Sequence, residues 1–474
     1  METQQNVNLL IQSGDPFADV GAAVLRHLLE QHPEWDTREA LKRVTDWYVN
    51  TWQGKLHGFF LNSGITNPAN KGKEVERSLE YYEALLEANA TQEKGWCRIS
   101  GQHGPLLSAG RENQILAGSG TFLNFHHGLE KGLQLGQQAL LHIYFAPLGC
   151  VQVGDKAALV HSNRPEITEL LAASNLNENL RPTTAELTPG LAKSKRGNPA
   201  NALFAYVDAI LKDTKREVPK LADGRPPSLT LYHFTNFGAK PDVVLYQLSA
   251  AVFDFYQNVM AAYKEAWTWF VRAHYRSSKF RGARARPDTT ALLLSGKPNE
   301  TPTVIEPDTY KAWTNEVYLR LIRGQSLLPL MRTWARYQPL PFALTAYYCE
   351  KLLYMDRKTL ELIAHVARYV ATEMDDSAIK RTLTRLSTAR TGSEVRLLLV
   401  GLQRRNYESD APTPLVKLDD YVRYLFPDGT SWREIRDLLL ISLYEQLHEN
   451  NKHVELEEEL EEDAVPESED VDTE

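Results

Sequence analysis

His126, His127 and Glu130 lie close together in FHHGLEKG, a grouping that could ligate a metal or supply a general base. A metal needs two ligands on one face, whereas adjacent histidines on a helix point about 100° apart. One histidine could still pair with Glu130, but ordinary hydrogen bonding within the fold fits the pattern best, followed by a polar contact to nucleic acid or a partner. A second grouping, WCRISGQHG, holds Cys97, Ser100 and His103. A cysteine at position 100 would make half of a zinc knuckle, because C-x-x-C sets two thiolates on one turn. Serine stands there, and no other cysteine pair completes a site. P-loop, H-E-x-x-H and G-x-S-x-G motifs are absent, as is a paired metal-carboxylate motif. The chain reads as a non-enzyme with no catalytic residues, metal or cofactor.

Two other kinds of residue suit nucleic acid. GKLHGFFLNSGITNPANKG offers Asn62, Ser63, Thr66, Asn67, Asn70 and Lys71, amides and hydroxyls able to meet base edges beside a lysine for phosphate. A polar loop with capping duties explains the same composition. VRAHYRSSKFRGARAR, residues 271–286, carries Arg272, Arg276, Lys279, Arg281, Arg284 and Arg286 with no acid, interleaved with His274, Tyr275 and Phe280. Arginines can fork onto phosphates, and rings can stack on bases. A second basic stretch sets Lys380, Arg381, Arg385, Arg390, Arg396, Arg404 and Arg405 against the single Glu394. Arg111, in the glycine-rich middle of the chain, joins these candidates.

The elements that must position these groups change character along the chain. SGDPFADVGAAVLRHLLEQ predicts a helix capped by Asp15 or Ser13, with Pro16 in its first turn. Helices follow over 36–52 and 74–88, with a short strand predicted in the apolar run near Phe59 and Phe60. From 95 to 162 recurrent glycines predict turns around one helix ending at IYFAPLG, and then a hairpin turning at Gly154 and Asp155. The stretches 178–200 and 213–228 read as loops around a helix at 201–212, and SLTLYHFTNFG reads as a strand. The second half is helical by its spacing: 246–276, 309–322, 326–336, 341–352, 357–375, 377–388, 392–405, 417–425 and 431–448. Trp267 and Phe270, with Tyr263, form a core or partner-facing stripe. After Arg276 the basic run predicts a flexible loop.

The fold class is therefore α+β: a mixed N-terminal domain with small sheets and a glycine-rich region, then a mainly helical part ending in a bundle. The divisions fall at 1–240, 241–340 with the basic loop, 341–450 for the bundle, and 451–474. That last stretch holds twelve acidic residues and one lysine, so the −8 net charge of the 474 residues hides a mildly basic body of +3. Such a tail repels itself and stays solvated. Three scattered cysteines, no signal pattern and no long apolar run predict a soluble cytoplasmic protein with no membrane partner.

SGDPFADVGAAVL at 13–25, the glycine-rich span from GPLLSAGRENQ to IYFAPLG and the closing VHS at 104–162, and the helical final third resemble the large subunit of the Cascade surveillance complex in subtype I-B CRISPR systems. The resemblance extends over most of residues 9–445. It implies a non-catalytic subunit that sits beside the guide RNA's 5′ handle, reads the protospacer-adjacent motif on duplex DNA through the N-terminal domain, helps open the duplex and steadies the displaced strand. Sequence identity of the target is then read by guide pairing, and the protein reads shape and a few base pairs. The implied partners are guide RNA, double-stranded target DNA, and the Cascade backbone, guide-handle and small subunits. A nuclease-helicase for interference or an adaptor for RNA-guided transposition would join them. The bundle resembles the separate small subunit, which an internal start at Met331 or Met355 could also yield. Family members often carry C-x-x-C near Cys97, and Ser100 departs from that pattern.

Overall fold

The computed structural model describes residues 12–87, 93–120, 129, 131–181, 190–212, 226–235, 241–295, 301–409, 412–427, 431–452 and 454. They form two compact units: Met1–Asp254 with Arg272–Arg323, and Phe255–Val271 with Gly324–Glu474. The first mixes helices with small antiparallel sheets and the second is helical, so the class is α+β.

In the first unit the SGDPFAD segment explains its own composition. Asp15 caps the opening helix Pro16–Gln31 by accepting from the Ala18 backbone N–H at 2.8 Å, and Pro16 occupies the first turn, where no N–H is needed. Asp19, on the buried face, accepts from the Ser13 N–H and Oγ at 2.7 Å each, from the Gly14 N–H at 3.2 Å, and pairs with His161 Nε2 at 3.0 Å. Burial pushes the Asp19 carboxyl up, but the bonds from His161 and Ser13 outweigh it and hold it below its ordinary value. The helix packs on Gln137–Phe145 and Pro165–Leu180. Beside it runs an antiparallel sheet in the order Val151–Val153, Lys156–Ser162, Leu229–Thr235, Asp242–Leu248, with the first hairpin turning at Gly154, φ +61°.

Several elements differ from the sequence expectation. No strand forms at Phe59 and Phe60; both are buried in a succession of turns, so their apolar run serves the core without a ladder. The glycine-rich region instead holds a three-stranded sheet, Lys94–Trp96, His103–Ala109 and Leu133–Gly136. Pro165–Leu180 is a helix that the loop reading at 178–200 clips. Residues 246–248 are not helical: they finish the Asp242–Leu248 strand, whose pairing with Leu229–Thr235 overrides the local spacing. Beyond them Ala250–Ala262 and Lys264–Ala273 are separate helices.

The second unit is built around Trp432–Glu449, which is buried over most of its length against Arg357–Glu373 and Leu328–Tyr337. Asp356 and Asp375 cap Arg357–Glu373 and Asp376–Thr388, and Thr391 with Glu394 forms a reciprocal capping box on Gly392–Glu408. Trp267 and Phe270 are fully buried, Trp267 against Phe255 with ring centroids 5.5 Å apart, so that stripe is core. Each such side chain contributes about 2–3 kcal/mol of burial. No helix of the described residues is long and apolar enough to cross a membrane.

Candidate nucleic-acid interface

The polar loop is held by most of its own side chains. Thr66 is buried: its hydroxyl donates to the Phe60 carbonyl at 3.0 Å, accepts from the Ser63 N–H, and lies 3.0 Å from Ser63 Oγ. Asn67 accepts from the Ala69 N–H at 3.0 Å to start the 3-10 turn Pro68–Asn70, and Asn70 Nδ2 donates to the Gly64 carbonyl at 3.0 Å. Of the loop's candidates, only Asn62 and Lys71 are exposed. Asn62 sits at φ +58°, a left-handed position that asparagine tolerates. The loop's capping duties thus take Ser63, Thr66, Asn67 and Asn70. Arg111 is half-buried, with Nε out of contact with solvent and without a hydrogen-bond partner among the described residues.

Residues 272–286 are folded, not a free loop. Tyr275–Arg276 pairs with Thr314–Asn315, and Arg284–Ala285 pairs with Leu292–Leu294. Arg272 Nη2 donates to the Arg286 carbonyl at 2.7 Å, tying the ends together, and Arg276 Nη1 donates to the Ala273 and Tyr275 carbonyls. This packing takes His274 and Tyr275, and one face of Phe280, away from any stacked base. His274 and Tyr275 are buried, Tyr275 beside Tyr310, and the Phe280 ring is covered by Trp313 at 5.2 Å and 15°. Lys279 Nζ lies 5.4 Å from the Phe280 centroid. What the segment presents is charge: Arg276, Lys279, Arg281, Arg284 and Arg286 are exposed, and among the described residues no carboxylate forms an ion pair with them.

The second basic stretch divides by partner. Lys380, Arg381 and Arg385 share the exposed face of Asp376–Thr388, with Arg390 just beyond it; Arg381 Nη1 donates to Ser377 Oγ at 3.1 Å. Arg396 lies over the Phe426 ring at 4.9 Å, while Arg404 pairs with Glu408 and Arg405 with Asp375. Among the described residues Lys380, Arg381, Arg385 and Arg390 have no ion-pair partner, which leaves a cation-rich face that suits a polyanion, with exposed Asp376 and Glu394 at its ends.

His126, His127 and Glu130 lie outside the described residues, as does the acidic stretch 455–474. Cys97 sits in a knuckle-shaped turn: its sulfur accepts from the Ser100 N–H at 3.4 Å, and its carbonyl from the Gly101 N–H at 2.9 Å. Burial raises the thiol, but the surrounding N–H groups and Ser100 outweigh it and lower its pKa. Ser100 Oγ accepts from the Gln102 N–H, and the His103 ring meets Trp96 edge-on at 5.1 Å. Among the described residues no three potential ligands come together to hold a metal.

Two cavities escaped the sequence reading, because their walls come from distant elements. One, about 370 Å³, opens beside Asn62 and is lined by Phe60, Tyr81, Tyr82, Glu112, Asn113 and Tyr144 among others. The other, about 700 Å³, lies along the opening helix and takes in Asp19, Arg26, Gln138 and His142. Burial, with Arg26 adding to it and Asp19 opposing, lowers the His142 pKa from 6.5 to about 4. The unfolded chain therefore binds the extra proton between those values, and stability falls as pH drops through that window. We expect the His142 contribution to cost on the order of 1–2 kcal/mol between about pH 7 and pH 5. Urea midpoints of the native protein and His142→Gln at both pH values check this; an equal pH dependence in the two would refute it.

Residues 346–473 match the family model of the DevT C-terminal domain. DevT-like proteins are Cascade-associated. The matched segment contains the Lys380–Arg390 face. No curated protein matches the chain.

Proposed function

We propose that the chain is the non-catalytic large subunit of a type I-B Cascade complex, which contacts guide RNA and target DNA, recognises the protospacer-adjacent motif and stabilises the R-loop. The observation that carries the reading is the exposed cation-rich face, Lys380, Arg381, Arg385 and Arg390, without ion-pair partners among the described residues and within the segment that matches a Cascade-associated domain. The exposed cations of 276–286 supply a second phosphate-binding surface, and Asn62 and Lys71 are the loop residues free to approach a groove. The nuclease-helicase of interference or a transposition adaptor would be recruited by the assembled complex.

The test is duplex binding by the complex assembled with its guide and neighbouring subunits, measured across salt concentrations. Lys380→Ala/Arg381→Ala/Arg385→Ala should weaken every target alike by about 10- to 100-fold and reduce the salt slope by about 2–3, near 0.9 per lost phosphate contact. Asn62→Ala should instead alter preference among adjacent motifs. A triple variant with unchanged affinity and slope would overturn the reading.

A purely structural role, as a helical scaffold without base reading, is favoured by one observation. Leu397, Val400 and Tyr407 are exposed together on Gly392–Glu408, with Leu418 and Val422 also exposed nearby in sequence. Five large apolar side chains in solvent suit a neighbouring subunit. Under that reading the Asn62 variant changes no motif preference.

A further inference from the structure

The cavity beside Asn62 has the composition of a pocket for a flat, polar-edged ring. Its floor is aromatic: Tyr82 and Tyr144 stand with centroids 4.0 Å apart, and Phe60 stacks on Tyr144 at 6.5 Å. Tyr144 is fixed from behind, its hydroxyl 2.8 Å from Thr45 Oγ1 and its carbonyl accepting from Tyr48 OH at 3.0 Å. Tyr81 forms the outer wall, partly exposed, edge-on to Tyr82 at 4.9 Å, and its phenol accepts from Asn113 Nδ2.

Both polar rims are pinned by glycines. A Cβ at Gly64 would lie 2.9 Å from the Ser78 nitrogen, so the 62–65 segment sits directly on Glu74–Leu86. A Cβ at Gly110 would fall 2.2 Å from the Gly120 nitrogen, so the loop bearing Glu112 and Asn113 closes on itself, with Asn113 Oδ1 accepting from the Gly110 N–H at 3.0 Å. Asn113 is thereby engaged in positioning Tyr81. Asn62 and Glu112 remain on the rim, and among the described residues no donor is bonded to the Glu112 carboxylate.

We propose that this cavity receives one unpaired nucleobase of a bound strand, stacked on the exposed Tyr81 ring and so perpendicular to Tyr82, and read on its edge by Glu112 and Asn62. This rests on the nucleic-acid reading above and makes it specific. A volume of about 370 Å³ lies at the lower end of small-ligand sites, which span about 300–1,000 Å³. A carboxylate only accepts hydrogen bonds, and guanine presents two adjacent donors, N1–H and the N2 amino group, that match it. Adenine and cytosine present one amino group; uracil and thymine flank their single N–H with two carbonyl oxygens that repel the carboxylate. The order expected is guanine, then adenine and cytosine, then uracil or thymine.

The probe is a short single strand, made as RNA and as DNA, with 2-aminopurine moved along it, bound to the full-length chain. One position should report an unstacked base in contact with protein, and comparison of the two backbones identifies the strand used. Tyr81→Ala should abolish that signal and weaken binding about tenfold. Glu112→Gln should compress the guanine-to-uracil preference without abolishing binding, a change that loss of folding would not mimic; thermal melting of both variants checks folding. A strand that binds native protein and Tyr81→Ala with the same fluorescence profile overturns the pocket while leaving the broader function standing. A second arm uses guanosine and uridine alone, followed by NMR of labelled tyrosines. Guanosine should shift the Tyr81 and Tyr82 resonances more than uridine. If neither nucleoside shifts them, the pocket is wrong even where strands bind; if guanosine does and no strand binds, the cavity is a site for free nucleosides and the proposal that it takes a base of a strand is overturned, with the broader function still decided by duplex binding of the complex.

Discussion

Asp437→Ala should destabilise the helical unit by about 3–5 kcal/mol, the loss expected when a buried charge is deprived of its counter-ion. Asp437 is buried on Trp432–Glu449 and accepts from Arg332 Nη1 at 2.9 Å and from Arg436 Nε and Nη2 at 3.0 and 2.9 Å. Arg436 is itself buried, with Nη1 donating to the Ala389 carbonyl at 3.3 Å and its guanidinium 5.4 Å from the Trp432 ring centroid. Alanine removes the anion that pairs with both guanidinium groups in a water-poor site, leaving three N–H donors short of their acceptor. The penalty exceeds that of losing any single surface ion pair, which is about 0–1 kcal/mol. Arg436→Met should cost less, because it removes a charge while preserving packing on Trp432 and leaves Asp437 with Arg332. Urea unfolding of the full chain, followed by a probe in each unit, separates the helical transition from that of the mixed unit. An Asp437→Ala loss below about 1 kcal/mol would show that water reaches the cluster.

How far the sequence discloses this molecule depends on whether a residue's partner is local. Asp15 and Pro16 declare a helix start because cap and helix are adjacent in the chain, and Gly154 declares a hairpin for the same reason. The amphipathic spacing of the second half is local too, and most helices predicted there form, although Thr314–Asn315 is a strand inside the expected 309–322 helix and the 246–276 helix is broken. Tyr246 and Gln247 mislead because their environment is the ladder with Leu231 and Thr230, too distant in sequence for periodicity to register. Phe59 and Phe60 mislead in the opposite sense: an apolar pair satisfies a core from a turn as well as from a strand. The candidate interface follows the same rule. The sign of the charge on 272–286 and 380–405 is composition and is legible, whereas the covering of Phe280 by Trp313 and the pairing of Arg405 with Asp375 decide which groups remain available and are not. The pocket beside Asn62 had no signature at all, since Tyr81, Glu112 and Tyr144 acquire meaning only when three elements converge.

Gly21→Ala is the second large effect expected, and it turns on two opposed magnitudes. Alanine is the better helix former, so an unpacked helical glycine replaced by alanine would stabilise by about 0.5–1 kcal/mol. At position 21 the added Cβ would sit 1.8 Å from the His142 carbonyl oxygen and 3.1 Å from the Ala146 nitrogen, backbone atoms that no rotamer change can move aside. The opening helix must shift away from Gln137–Phe145. That shift drags Asp19 from its bonds to Ser13, Gly14 and His161, and Val20 from the face of Gly149, where a Cβ would already meet it at 2.4 Å. Overpacking costs about 1–3 kcal/mol and more where backbone must give, so strain exceeds the propensity gain and the net loss should be about 3 kcal/mol. Gly401→Ala is the control, since that helical glycine has open space around it and should gain stability. Thermal melts of the two variants should therefore move in opposite directions from the native protein. Melts that rise together would mean that the opening helix is held less closely to Gln137–Phe145 than the SGDPFADVG segment requires.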